Sequence, residues 1–242
     1  MIKFVKKKAE MVLSANHTIY ILSLMFVFVK MIIASAVNIA FGRLSLGAFT
    51  DTVTLTMVSF LIFPLELSFV SMFITRKFNM KQLFEFYSIK KLPQTLFLGV
   101  MQTVTSYGSN LLSVFISGRT NPSMLEKIIV CLISLAFIFL FILFFASDYF
   151  FVKNGGNAIS AVKSSFKLCS NKLGTIILFQ LSFFLWFILY FMVYLMLNQF
   201  KIPQEFFSVA TYSMFGIGIF YYPKLAQSKV FLFDEMTEAN QK

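Results

Sequence analysis

Residues 61–77 read LIFPLELSFVSMFITRK. The stretch is apolar enough for lipid, yet it holds a proline, Pro64, and a full charge, Glu66. It ends on two cations, Arg76 and Lys77. An apolar helix that closes on basic residues reads as a membrane span leaving the bilayer on its cytoplasmic side. The glutamate then needs a reason to lie inside.

The surrounding composition supports the lipid reading. The chain has 242 residues, 58% hydrophobic and 13% charged, with a mean hydropathy of +0.81. Soluble domains carry about a quarter charged residues, so too little polar side chain is present to coat a water-soluble globule. The 34 phenylalanines fit lipid-facing helices. A net charge of +11 would point to nucleic acid in a soluble protein. Here the lysines fall in the gaps between apolar runs, which predicts contact with anionic lipid headgroups and no nucleic-acid partner. His17 is the single histidine, and Cys131 and Cys169 the two cysteines. Zinc, haem and iron–sulfur sites lack their ligand sets, so no metal or cofactor is expected.

Six apolar runs reach the roughly 20 residues that a bilayer requires. They lie near 18–41, 52–75, 94–116, 128–152, 174–198 and 206–222. The last is the weakest, because Gly216, Gly218 and Pro223 loosen it. Sixteen Lys and Arg fall in the N-terminus, the second and fourth gaps and the tail. Four, Arg43, Arg119, Lys127 and Lys201, fall in the other gaps. The asymmetry predicts a multi-pass protein of the cell membrane with both termini cytoplasmic. Ala34-Ser35-Ala36 has the form of a signal-peptidase site. Cleavage there would leave an odd number of spans, so the first run is read as a retained helix. The two cysteines then lie on opposite sides, and no disulfide joins them.

Three cytoplasmic segments, 1–16, 77–91 and 157–170, carry apolar residues at helical spacing among lysines. Each leads into a pair of spans. The expected fold is all-α: a polytopic membrane protein of six transmembrane helices, built from three units of amphipathic helix plus hairpin in one membrane domain.

The first two spans are neighbours, so their charges are compared by depth. Lys30 lies ~17 Å from the cytoplasmic end of its run and Glu66 ~14 Å from the end of its own, at 1.5 Å per residue. An unpaired charge at mid-bilayer costs about 2.5–3.5 kcal/mol. A Lys30–Glu66 ion pair facing the bundle is therefore expected. It serves either as a structural contact or as an ion-coupling carboxylate. Pro64 leaves the carbonyl of Phe60 without its helical donor, and Ser59 or Ser68 stands near enough to help. Asp148, near the end of the fourth run, is expected to be solvated or paired with Lys153. The third run carries a polar stripe, including Gln102, Ser106, Tyr107 and Asn110. It is too polar for lipid, and either packs inward or lines a wet cavity.

Several stretches are also familiar as a set. They are Pro64-Leu65-Glu66-Leu67-Ser68-Phe69, Ala158-Ile159-Ser160-Ala161-Val162-Lys163-Ser164-Ser165-Phe166-Lys167-Leu168, Phe179-Gln180-Leu181-Ser182-Phe183-Phe184-Leu185-Trp186, and Tyr222-Pro223 followed by Phe231. In these the chain resembles a family of uncharacterised Gram-positive multipass membrane proteins, domain of unknown function nine-seven-five. It is distantly similar to the membrane domain attached to some glycerophosphodiester phosphodiesterases. The sequence departs from the family after the fourth span, where Lys153-Asn154-Gly155-Gly156 replaces an Asp-x-Pro-like turn. The resemblance implies a six-helix membrane protein and a motif role for Glu66. It supplies no catalytic residues.

The expected function is non-enzymatic: envelope protection or immunity, or an accessory subunit of a membrane complex. The alternative is a small transporter, or the permease subunit of an ATP-driven exporter. Partners beyond the bilayer are then another membrane protein or a cytoplasmic ATPase. An intramembrane enzyme ranks last, because no HExxH motif, serine–histidine pairing or paired aspartates stand in the spans.

Overall fold

The computed structural model describes residues 1–41, 48–117, 123–183, 188, 192 and 204–239. Among these the chain is helical and contains no strand. The elements are α1 (Ile2–Ser14), α2 (Thr18–Phe41), α3 (Ala48–Thr75), α4 (Met80–Leu83), a 3-10 turn (Glu85–Tyr87), α5 (Leu92–Ser117), α6 (Met124–Phe144), α7 (Ser147–Lys153), α8 (Ala158–Asn171), α9 (Leu173–Leu181) and α10 (Gln204–Ala239). Three stretches among the described residues are long and apolar enough to cross a membrane: Thr18–Val37, Met57–Thr75 and Met124–Lys153. The chain divides into two compact units, Met1–Val27 with Lys172–Lys242, and Phe28–Asn171.

In the larger unit, α3 packs along α5, and α5 along α6. Glycine permits both approaches. A Cβ on Gly99 would lie 2.9 Å from the Phe63 ring, and one on Gly108 2.6 Å from the Phe137 ring. Small residues at helix crossings are the usual device where water supplies no driving force between helices. The core gathers Phe63 and Leu67 of α3, Phe86 of the 3-10 turn, Leu98 of α5, Phe151 of α7, and Ala158 and Ala161 of α8. It therefore joins the 3-10 turn and α8 to the apolar helices. Caps fix the helix starts. Ser123 and Glu126 form a capping box on α6. Asn79 accepts from Gln82 N at the head of α4, and Asn157 from Ser160 N at the head of α8. Gln94 of α5 adds a second acceptor there, for Ala158 N at 3.3 Å.

In the smaller unit, α1 buries Val5, Ala9 and Leu13, one stripe at four-residue spacing. It packs on α10 and runs antiparallel to it, since Lys8 meets Glu235 at 3.5 Å while Glu10 meets Lys224.

Three expectations need correcting. The segment 77–91 is not one amphipathic helix. It is α4 followed by the 3-10 turn, because Ser68 Oγ accepts from Phe86 N at 3.4 Å and Glu85 is engaged by Ser71 and Lys91. The fourth run is interrupted at Phe145–Ala146, between α6 and α7. Pro223 does not end the last helix, which continues to Ala239 and buries Val230, Phe231, Leu232, Phe233 and Met236. The residues after 223 are thus packed helix where the sequence suggested a tail. The apolar faces of α1, α4 and α8 are partly covered by protein, as Val5, Leu83 and Leu168 show. Cys131 and Cys169 are free thiols. Arg43, Arg119 and Lys201, and most of the fifth run, lie outside the described residues.

Gly108 and Gly174 are expected to respond to alanine with opposite signs. Gly108→Ala meets the Phe137 ring and should lower thermal stability in detergent by about 1–3 kcal/mol. Gly174→Ala meets nothing within 4 Å and should leave stability unchanged or slightly raised. Equal effects from the two variants would show that α5 and α6 do not touch at Gly108.

Candidate functional site

The site is built where α2 and α3 carry their charges. Lys30 Nζ lies 3.5 Å from Glu66 Oε1. The structure thus brings together two charges separated by thirty-five residues of mostly apolar chain. The pair is not sealed into the bundle: 44% of the Glu66 side chain and 26% of the Lys30 side chain remain open. A charge pair of that exposure must meet lipid, water or another protein, and in lipid it remains costly.

Pro64 shapes the wall behind the pair. It cannot donate to the Phe60 carbonyl, and the ladder around it is disturbed. A hydroxyl from the 77–91 segment enters there. Tyr87 donates to the carbonyl of Leu61 at 2.8 Å. Ser68, a candidate for this task from the sequence, instead accepts from Phe86 N. The Tyr87 phenol is pushed up to about 12, first by burial and then by the Glu66 carboxylate nearby. Tyr87 therefore belongs to the site, and sequence reading missed it. The available signal was one polar tip among the apolar residues Phe78, Leu83, Phe84, Phe86 and Ile89.

The second group of expected residues meets at the interruption between α6 and α7. Gln102 Nε2 donates to Ser147 Oγ at 3.0 Å. Thr103 and Thr105 are buried, so this part of the α5 stripe packs inward. The side chains of Ser106, Tyr107 and Asn110 lie outside the described residues. Asp148, expected to be solvated or paired with Lys153 and counted with the bundle-facing polar residues, follows Ser147 and is 9% exposed, so it is buried rather than solvated. Its position in the first turn of α7 explains this. Backbone donors are free there, and Oδ1 accepts from Tyr149 N at 2.9 Å. Lys153 donates to the Tyr149 hydroxyl at 2.6 Å.

Ser165 of α8 completes this region. Its hydroxyl donates to the Leu143 carbonyl at 2.6 Å and accepts from Ala146 N at 3.2 Å. One side chain thus bridges both ends of the broken ladder, a recognised cause of helix kinks. In the smaller unit, Ser23 donates to the Ile219 carbonyl at 2.8 Å, the group that Pro223 leaves without its helical donor.

Among the described residues no group of three His, Cys, Asp or Glu side chains is placed to hold a metal ion. No family model, no curated protein and no solved structure matches the chain.

Two outcomes are expected from the Lys30–Glu66–Tyr87 cluster. Lys30→Met and Glu66→Gln should each cost about 2–3 kcal/mol, because each strands its partner's charge. The double variant should cost at least ~1 kcal/mol less than the two combined. Strict additivity in a thermal-unfolding cycle would mean the two side chains do not interact. For Tyr87, the folded state favours the neutral phenol. Its contribution is full below the ordinary phenol value near 10 and is lost as pH rises towards 12. Wild type should therefore lose stability relative to Tyr87→Phe across that window, and parallel curves would remove Tyr87 from the site.

Proposed function

We propose that the chain is a non-enzymatic protein of the cell membrane, with six spans and both termini cytoplasmic. In this reading it protects the envelope or serves as an accessory subunit of a membrane complex. The observation that carries the reading is the Lys30–Glu66 pair, set in two apolar helices, with the Tyr87 hydroxyl on the Leu61 carbonyl beside Pro64. Charges so placed are tolerated in lipid only when each answers the other. The cytoplasmic distribution of lysines supports an even number of spans. The packing of α1 on α10, of α4 and the 3-10 turn on α3, and of α8 on α6 and α7 supports the threefold unit of amphipathic segment and hairpin. The resemblance to the Gram-positive multipass family belongs to the same proposal and rests on the residues quoted for it.

One observation favours a second reading, a small transporter or the permease subunit of an ATP-driven exporter. The Glu66 carboxylate is close to half open, which suits a group that exchanges an ion. A glutamate serving only to fix helix register would be better covered.

Topology is the first test. In a background with Cys131 and Cys169 replaced, Arg43→Cys and Arg119→Cys should react with a membrane-impermeant maleimide in intact cells. Lys3→Cys and Lys242→Cys should react only after the cells are opened. Labelling of Lys242→Cys in intact cells would end the six-span reading. Purification in mild detergent then separates the functions. A membrane-protein partner in fixed ratio supports the accessory role, and a co-purifying ATPase supports the exporter.

A further inference from the structure

The smaller unit carries a cleft of about 220 Å3 lined by Glu10, Leu13, Ser14, Tyr20, Phe220 and Lys224. Its two ends differ in chemistry. One end holds the Lys224–Glu10 ion pair. The other is aromatic, with the rings of Tyr20 and Phe220 5.7 Å apart and tilted by 50°. Phe220 is 62% exposed, a large apolar surface beside a charge pair. Tyr20 stands in the first turn of α2, where the membrane-length stretch Thr18–Val37 begins. That is the level at which tyrosine sits between headgroups and acyl chains.

Positive charge around the polar end exceeds what its carboxylates cover. Lys6 lies one helical turn before Glu10 on α1. Its ammonium donates to the Ser182 carbonyl at 2.7 Å and rests 4.1 Å from the centre of the Phe183 ring. Burial first, and then the charge on Lys224, holds Lys6 below the ordinary lysine value. Glu10 is the carboxylate these two cations have in common. It is more than half exposed, so it is free to turn outward.

We propose that this cleft holds the phosphodiester headgroup of one anionic phospholipid from the cytoplasmic leaflet. The phosphate takes the place of the Glu10 carboxylate on Lys224, and the glycerol and upper acyl carbons lie on Tyr20 and Phe220. A free phosphate shares the anionic chemistry but leaves the aromatic end bare, and the position of the cleft at the start of a membrane-length helix favours the lipid. The inference rests on the membrane-protein reading and gives that reading a specific lipid contact.

Full-length protein in vesicles of phosphatidylcholine, with and without phosphatidylglycerol, tests it. Lipid retained through gentle detergent extraction is counted by native mass spectrometry. Wild type should keep one phosphatidylglycerol per chain. Lys224→Gln should weaken retention about five- to tenfold, the effect of one cation near a headgroup. Glu10→Gln should strengthen it, because the competing carboxylate is gone. A variant that merely misfolds weakens retention, so the opposite signs separate binding from folding. Loss of phosphatidylglycerol to millimolar inorganic phosphate would identify a soluble anion as the ligand and overturn the lipid assignment. Retention indifferent to Lys224, or weakened by Glu10→Gln, would overturn the site. Alkaline carbonate extraction distinguishes the two levels. A chain that stays in the membrane with Lys224-independent lipid loses only the site, whereas a chain that is extracted loses the membrane reading itself.

Discussion

A backbone carbonyl inside an apolar helix must find a donor, because lipid supplies none and an unanswered polar group costs several kcal/mol. Three helices here are disturbed, at Pro64, at Phe145–Ala146 and at Pro223. Each has a side-chain hydroxyl aimed at a carbonyl of the disturbed turn. Tyr87 reaches Leu61, Ser165 reaches Leu143 and Ser23 reaches Ile219. At Pro223 the match is direct, since Ile219 is the residue one turn earlier whose donor the proline ring has removed. At Pro64 the hydroxyl is one carbonyl further along. At Phe145–Ala146 no proline is involved, and Ser165 answers a free carbonyl and a free N–H together. The remaining packing must hold these donors within reach.

That requirement gives the segments 77–91 and 157–170 the task of holding donors against the apolar helices. Tyr87 and Ser165 sit on segments whose apolar faces are anchored by Phe86 and by Ala158 and Ala161 in the core of the larger unit. Moving either segment away would expose apolar surface and orphan a carbonyl at once. In the smaller unit the donor comes from α2, while α1 packs on α10, with Glu10 on Lys224 just beyond Pro223. Large apolar side chains still point outward from these segments, among them Phe4, Phe84, Ile89 and Ile159. They leave an apolar surface beside the lysines, the pattern of an interfacial helix. The recurrence of disturbed helix, hydroxyl and amphipathic segment is in keeping with the proposed threefold arrangement.

What was legible in the sequence was whatever depends on local composition or on depth. The helical class, three membrane-length stretches and the extents of α1 and α8 follow from apolar spacing. The meeting of Lys30 and Glu66 follows from counting residues inward along two neighbouring runs. Contacts imposed from elsewhere in the chain were not legible. Nothing in Phe144-Phe145-Ala146-Ser147 signals a break, for there is no proline or glycine. The interruption depends on a serine about twenty residues later in the chain. Pro223 reads as a helix end because proline removes a donor, and the sequence does not show that Ser23 supplies another. Likewise, 77–91 carries an amphipathic period, yet Ser68 and Ser71 of α3 draw Phe86 and Glu85 into a tighter turn.

The two inward carboxylates show how backbone state decides what a charge needs. Asp148 comes second in α7, where the first N–H groups have no helical acceptor, and it takes one of them from Tyr149. It can therefore be almost fully buried. Glu66 lies in the middle of α3, where the N–H groups are committed to the ladder. Pro64 frees a carbonyl there, which is an acceptor and no help to a carboxylate. The partner has to be a cation from a neighbouring helix, and Lys30 is that cation. A long side chain reaching across between helices covers less of a carboxylate than a helix start folded around it. The greater openness of Glu66 follows from this difference in available donors, and it leaves Glu66, rather than Asp148, as the carboxylate within reach of a partner or an ion.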